Sequence, residues 1–200
     1  MNINLSPTKE KYYSQLNNEL DPYIACQVTT MIMGLDIAGF SLDPLYRIPN
    51  CIHSQPEDRL RWFMLNNEDV QNFWKKSHPQ TNTPAPEWAD CMVYAVNKLY
   101  EKDIVRYENN LTKNIIYDDL SIGMPIYTSM KYPNNRNLSG ALSPIPGHIV
   151  LVVGVINDRI IVNDPYKNHL TGDKNGWNNV YLPEDWQKYN KGYGIRYRKI

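Results

Sequence analysis

Two hundred residues, 42% of them apolar, are enough for one substantial core and too few for a second of comparable size. Lysine plus arginine and aspartate plus glutamate each total 21, so the formal net charge is zero and no global field recruits nucleic acid or an anionic membrane. No apolar run of about 18 residues is available for insertion into a bilayer, and three cysteines, Cys26, Cys51 and Cys91, are too few for a disulfide framework.

The opening residues, MNINLSPTKEKYY, lack the basic start and apolar stretch of a secretory signal. As encoded, the chain reads as cytoplasmic, or exported by a route it does not itself specify. Residues 1–25 are polar and turn-rich, with Asp21-Pro22 as a turn signal. The next segment, Cys26 to Phe40, spaces Val28, Met31, Ile32, Leu35 and Ala38 as a helix does, with Gly39 near its C-terminal end.

Ser41 to Asn110 reads as mainly helical. Glu57 to Lys76 sets Leu60, Phe63 and Met64, then Val70, Phe73 and Trp74, on a repeating face, broken at Asn66-Asn67. Glu87 to Tyr100 repeats the pattern with Trp88, Cys91, Met92, Ala95, Val96 and Leu99. Between them lies a proline-broken loop. From about Leu120 the period changes to that of strands. Met124 to Met130 alternates, His148 to Ile156 is a nearly continuous β-branched run suited to a doubly covered strand, and Asn157-Asp158 turns it back into Arg159 to Asp164. Gly192 to Ile200 is expected to add an edge strand. The expected fold is α+β, a single domain over 1–200.

Two stretches carry the chemistry: QLNNELDPYIACQVTTM from Gln15 and GHIVLVVGVINDRIIVNDPY from Gly147. A thiol in the first turn of a helix meets unpaired N–H groups and the positive dipole end, which with an imidazolium beside it favour a nucleophilic thiolate; Cys26 occupies that position. Read in isolation, a cysteine is more commonly a small buried hydrophobe, and Cys51 and Cys91 fit that description. His148, at the head of the most apolar strand, is anchored as a general base must be. Asp164 lies 16 residues later, the length of a strand, turn and return, and would orient the imidazole through the nitrogen facing away from the thiol. Gln15, a neutral amide donor, together with the Cys26 N–H, would hold a developing oxyanion. His53, His78 and His169 lie in loops and read as surface residues. Cys51-Ile-His53 is a bare pair without the further ligands zinc requires, and no cofactor or metal is called for.

These residues resemble the signatures of papain-like cysteine peptidases of the bacteriocin-leader-processing group, peptidase family thirty-nine, in its stand-alone bacterial and phage branch. The order Gln15, Cys26, His148, Asp164 is that family's order, and the resemblance implies nucleophile, base and orienting acid at 26, 148 and 164 and the oxyanion amide at 15. It further implies a papain-like fold: an N-terminal helix bearing the cysteine, packed on an antiparallel sheet bearing the histidine and aspartate, with a helical insertion at about 41–110. Gln27 stands where asparagine or glycine is usual, and Tyr166-Lys167-Asn168 replaces an aromatic-glycine pair. No G-x-x-x-x-G-K-[ST] is present, so cleavage coupled to peptide export is disfavoured.

Stand-alone members resembling this chain are often cell-wall hydrolases or phage lysis proteins, which implies a peptide or peptidoglycan substrate reached through a holin-like partner or a virion. An intracellular regulatory peptidase or deamidase, and an inactive papain-like binding domain, are the alternatives. Trp177 and Trp186 are the expected groove tryptophans, with Trp62, Trp74 and Trp88 in the core.

Overall fold

The computed structural model describes residues 2–131, 147–168 and 175–199. Among them, strand β1 (Asn2–Asn4) precedes helices α1 (Cys26–Ile37), α2 (Asp43–Tyr46), α3 (Pro56–Asn66), α4 (Glu68–Ser77) and α5 (Ala89–Tyr100). Then follow β2 (Val105–Glu108), α6 (Lys113–Ser121), β3 (Ile126–Met130), β4 (His148–Ile156), β5 (Arg159–Asn163), β6 (Asn179–Tyr181), α7 (Pro183–Tyr189) and β7 (Asn190–Tyr197). The strands form an antiparallel sheet in the order β2-β7-β3-β4-β5-β6. β1 joins the far end of β4, where Asn4 lies opposite Gly154.

β4 explains its own composition. Ile149, Leu151 and Val153 belong to a core shared with α1, α3 and α5, whereas Val150, Val152 and Val155 belong to a second core with Ile116 and Leu120 of α6. Successive side chains point to opposite faces of a strand, and both faces here are covered, so a run without polar interruption is what burial demands. Each such side chain contributes about 1.5–3 kcal/mol when fully buried. α1 is likewise enclosed: Val28 through Leu35 are all buried, between the sheet on one side and α3 on the other.

Helix boundaries follow local chemistry. α1 stops three residues before Phe40 because Gly39 takes a left-handed φ of +83°, and the Phe40 N–H bonds the Leu35 carbonyl while the Gly39 N–H bonds that of Asp36, the paired closure of a Schellman motif. α3 and α4 separate at Asn67, whose side chain caps α4 by accepting from the Val70 N–H at 3.2 Å. Asn157 and Asp158, with φ of 46° and 65°, make the β4–β5 turn.

Two expectations are corrected. The C-terminal strand is not an edge: β7 lies between β2 and β3. β2 falls inside the stretch read as helical, and with only one of its four residues buried it carries too little apolar alternation to be seen in the sequence. No described helix is long and apolar enough to cross a membrane.

Candidate active site

Cys26 is the first residue of α1 and is half-buried. The preceding turn is set by Asp21, whose positive φ of 50° reverses the chain and whose carbonyl accepts from the Ile24 N–H at 3.0 Å. Its carboxylate is gripped by Arg61 of α3 at 2.8 Å. The helix itself is fixed to the sheet by packing and by Thr30 Oγ1, which donates to the Ile149 carbonyl at 3.3 Å.

His148 opens β4 with its ring 7% exposed. Nε2 lies 2.7 Å from Asp164 Oδ1, so a carboxylate fixes the proton on that nitrogen. The Cys26 side chain is a second neighbour of the ring and adds to the upward shift of its pKa. With Nε2 committed to Asp164, Nδ1 is the nitrogen turned to sulfur. Burial pulls the imidazole pKa down, but the charge and hydrogen bond of Asp164, joined by the contact with Cys26, outweigh it and push the pKa up to about 10. The raised value favours the protonated ring, and Tyr166 stands edge-on to it with centroids 6.3 Å apart.

Asp164 immediately follows β5 and is fully buried. Besides His148, its Oδ1 accepts from the backbone N–H groups of Tyr166 at 2.9 Å and Lys167 at 3.2 Å. The backbone is held too: the Asp164 N–H donates to Gly176 at 2.8 Å, and its carbonyl accepts from Tyr12 Oη at 2.8 Å. A buried carboxylate needs such partners, and here they leave it one orientation.

Gln15, 2% exposed, begins a single 3₁₀ turn. Its backbone N–H donates to the Pro165 carbonyl at 2.8 Å and its Nε2 to that of Pro22 at 2.8 Å. It thus bridges the residue after Asp164 and the turn leading into Cys26. An amide nitrogen carries two protons, so the bond to Pro22 fixes the side chain without consuming its donor capacity. The structure brings Cys26, His148 and Asp164 together and sets Gln15 between the two segments that deliver the thiol and the carboxylate.

The remaining candidates scatter. Cys91 is buried, and burial with Asp90 beside it pushes its thiol up to about 12, while Cys51 is half-buried against the helical core. His53 bonds Glu19 at 2.8 Å. His78 is half-buried: it pairs with Asp90 at 2.9 Å and stacks on Trp88 with centroids 3.9 Å apart. His78, Asp90 and Cys91 hold ligand-type atoms within 4.8 Å of one another, but the first two already satisfy each other and the third resists ionisation. His169 lies outside the described residues.

The tryptophans are also redistributed. Trp177 donates to the Ser6 carbonyl at 3.1 Å and Trp186 packs edge-on to Tyr181 in the second core. Trp88 instead lines a cavity of about 430 Å³ together with Gln27, Tyr127 and Ile149. Sequence reasoning also missed Tyr12, Tyr127, Tyr166 and Gly176, for which no spacing signal exists, since their partners lie up to 152 residues away.

A helix that begins with the cysteine, packed on an antiparallel sheet that delivers the histidine and carboxylate, defines a papain-like α+β fold. The Peptidase C39-like family profile matches residues 8–194, and the chain belongs to that family. A crystal structure of a candidate C39-like peptidase from Bacillus anthracis superposes with a TM-score of 0.57 at 14% identity, covering 100% of this chain and 98% of the other, a likeness of fold. No curated protein matches the sequence.

Proposed function

We propose that this protein is a cysteine peptidase or amidase in which Cys26 is the nucleophile, His148 the base and acid, Asp164 the orienting carboxylate and Gln15 the oxyanion donor. One observation carries the reading: the buried His148 ring is held by Asp164 at 2.7 Å and has the Cys26 thiol, at the start of α1, as its other neighbour. An imidazolium and a helix N-terminus both favour the charged form of a neighbouring sulfur. The thiolate attacks the amide carbon, and the oxygen's new charge is met by the Cys26 N–H and the Gln15 amide. His148 then passes its proton to the departing amine, the C–N bond breaks, and a thioester remains. Water, deprotonated by the now neutral ring, resolves the thioester and returns the proton to His148.

The proposed substrate is a peptide or amide bond of peptidoglycan, supported by the resemblance to stand-alone wall hydrolases, with access through a holin-like partner or a virion. Two measurements test the proposal. Iodoacetamide at pH 6 should label Cys26 faster than a small free thiol, and purified walls should release new amino termini with native protein but not with Cys26→Ala. Labelling no faster than the free thiol would overturn the mechanism; release of ammonia without amino termini would make the protein a deamidase.

A further inference from the structure

The cavity of about 430 Å³ has in its lining Gln27 and Ile149, the residues that follow Cys26 and His148 in the chain. Aromatic rings form its walls: Trp88, Tyr107, Tyr127 and Tyr193. Its ionisable groups besides tyrosine are Glu87, Asp90 and His78, and no lysine or arginine is found among the described residues that line it. Arg61 grips Glu87 from behind at 2.9 Å and is shared with Asp21 at 2.8 Å. Asp90 meets His78 through both oxygens, at 2.9 and 3.0 Å, and its side chain remains 40% exposed to the cavity and solvent.

Gln27 is itself clamped. Its Oε1 accepts from Tyr127 Oη at 2.8 Å. The side chain after Cys26 is thus a fixed part of the cavity wall, and a residue without an acceptor there would lose the bond to Tyr127.

We infer that this cavity is a specificity subsite for a cationic side chain, lysine-like or arginine-like, on the substrate peptide near the scissile bond. The inference rests on the proposed peptidase reading and adds the substrate's charge to it. Ring faces attract a cation through their quadrupoles, Glu87 and Asp90 place carboxylates in the wall, and an acidic side chain would be repelled by both. A volume of this order suits a long extended side chain.

The test pairs peptides that differ only by lysine, norleucine or glutamate at each position flanking the cleaved bond, assayed for cleavage by the native enzyme and for binding to Cys26→Ala. At one position lysine should be preferred to norleucine by about tenfold or more, with glutamate poorest, and Asp90→Asn should collapse that ratio. Cleavage with equal use of lysine and norleucine everywhere would overturn the subsite and leave the peptidase. Lysine-selective binding with no cleavage of any peptide would overturn the peptidase and leave the subsite.

Discussion

Gly176 presses against the backbone of Asp164 so closely that a β-carbon there would fall 1.9 Å from the Asp164 carbonyl oxygen and 2.6 Å from Tyr12 Oη. The same backbone pair is joined by the Asp164 N–H bond at 2.8 Å. Replacing this glycine by alanine must therefore move the segment that aims the carboxylate at His148. Gly176→Ala is expected to cost about 1–3 kcal/mol of stability and to lower kcat by roughly tenfold or more. Thermal unfolding and peptide-cleavage kinetics check both; an unchanged kcat would mean that Asp164 does not act through its position.

Asp164→Asn keeps the shape but removes the charge that outweighs burial at His148. The imidazole pKa should fall, because desolvation then dominates, and kcat should drop by about 10²- to 10⁴-fold, as when a comparable carboxylate is neutralised. The pH profile of kcat/KM and the titration of the His148 ring resonance report the two effects separately.

His148 also links stability to pH. Its folded value, pushed up to about 10, lies above the ordinary 6.5, so between these values the folded chain holds a proton that the unfolded chain has lost. The stabilisation is complete below pH 6.5 and disappears as pH rises through 10. The melting temperature of the native protein should therefore fall more steeply between pH 7 and 10 than that of His148→Gln, and parallel slopes would contradict the assignment.

Glu57, at the start of α3, acts in the acid range. Its Oε2 is buried without a hydrogen-bond partner among the described residues, and burial pushes the carboxyl up from 4.5 to about 7. The folded chain holds the extra proton between these values, so stability is lost as pH climbs through 7. Glu57→Gln should gain melting temperature over the native protein at pH 8 and little at pH 4, measured by thermal unfolding at both.

Gln15→Ala removes the proposed oxyanion donor together with the bond to Pro22. The expected loss is about 10²- to 10³-fold in kcat with a small change in KM. Gln15→Glu, which keeps the length but adds negative charge, should be at least as inactive. If either variant keeps near-native kcat while its melting temperature falls, the residue is a structural tie only.

Much of this was legible in the sequence, for physical reasons. β4 and β5 could be read because a doubly covered strand admits few polar residues, and the extent of β4 from His148 to Ile156 is as expected. α1 showed its helical spacing and its terminating Gly39, and α3 and α4 their break at Asn67. These are signals of local burial and local backbone geometry, which a linear pattern records. β2, β1 and the interior place of β7 were not readable, because short half-exposed strands are held by neighbours distant in the chain.

The same division runs through the site. Residue identity and order, joined to the resemblance of two segments to a known family's signatures, picked out Cys26, His148, Asp164 and Gln15 as candidates. Their mutual aim was decided by the tertiary structure: Tyr12 and Gly176 hold the Asp164 backbone, and Pro165 and Pro22 hold Gln15. The removal of Trp177 and Trp186 from the cleft and the arrival of Trp88, His78 and Asp90 beside it were decided there as well. Hydrogen bonds and ring contacts across more than a hundred residues depend on where the sheet carries each segment, and that information exists only once the chain has closed on itself.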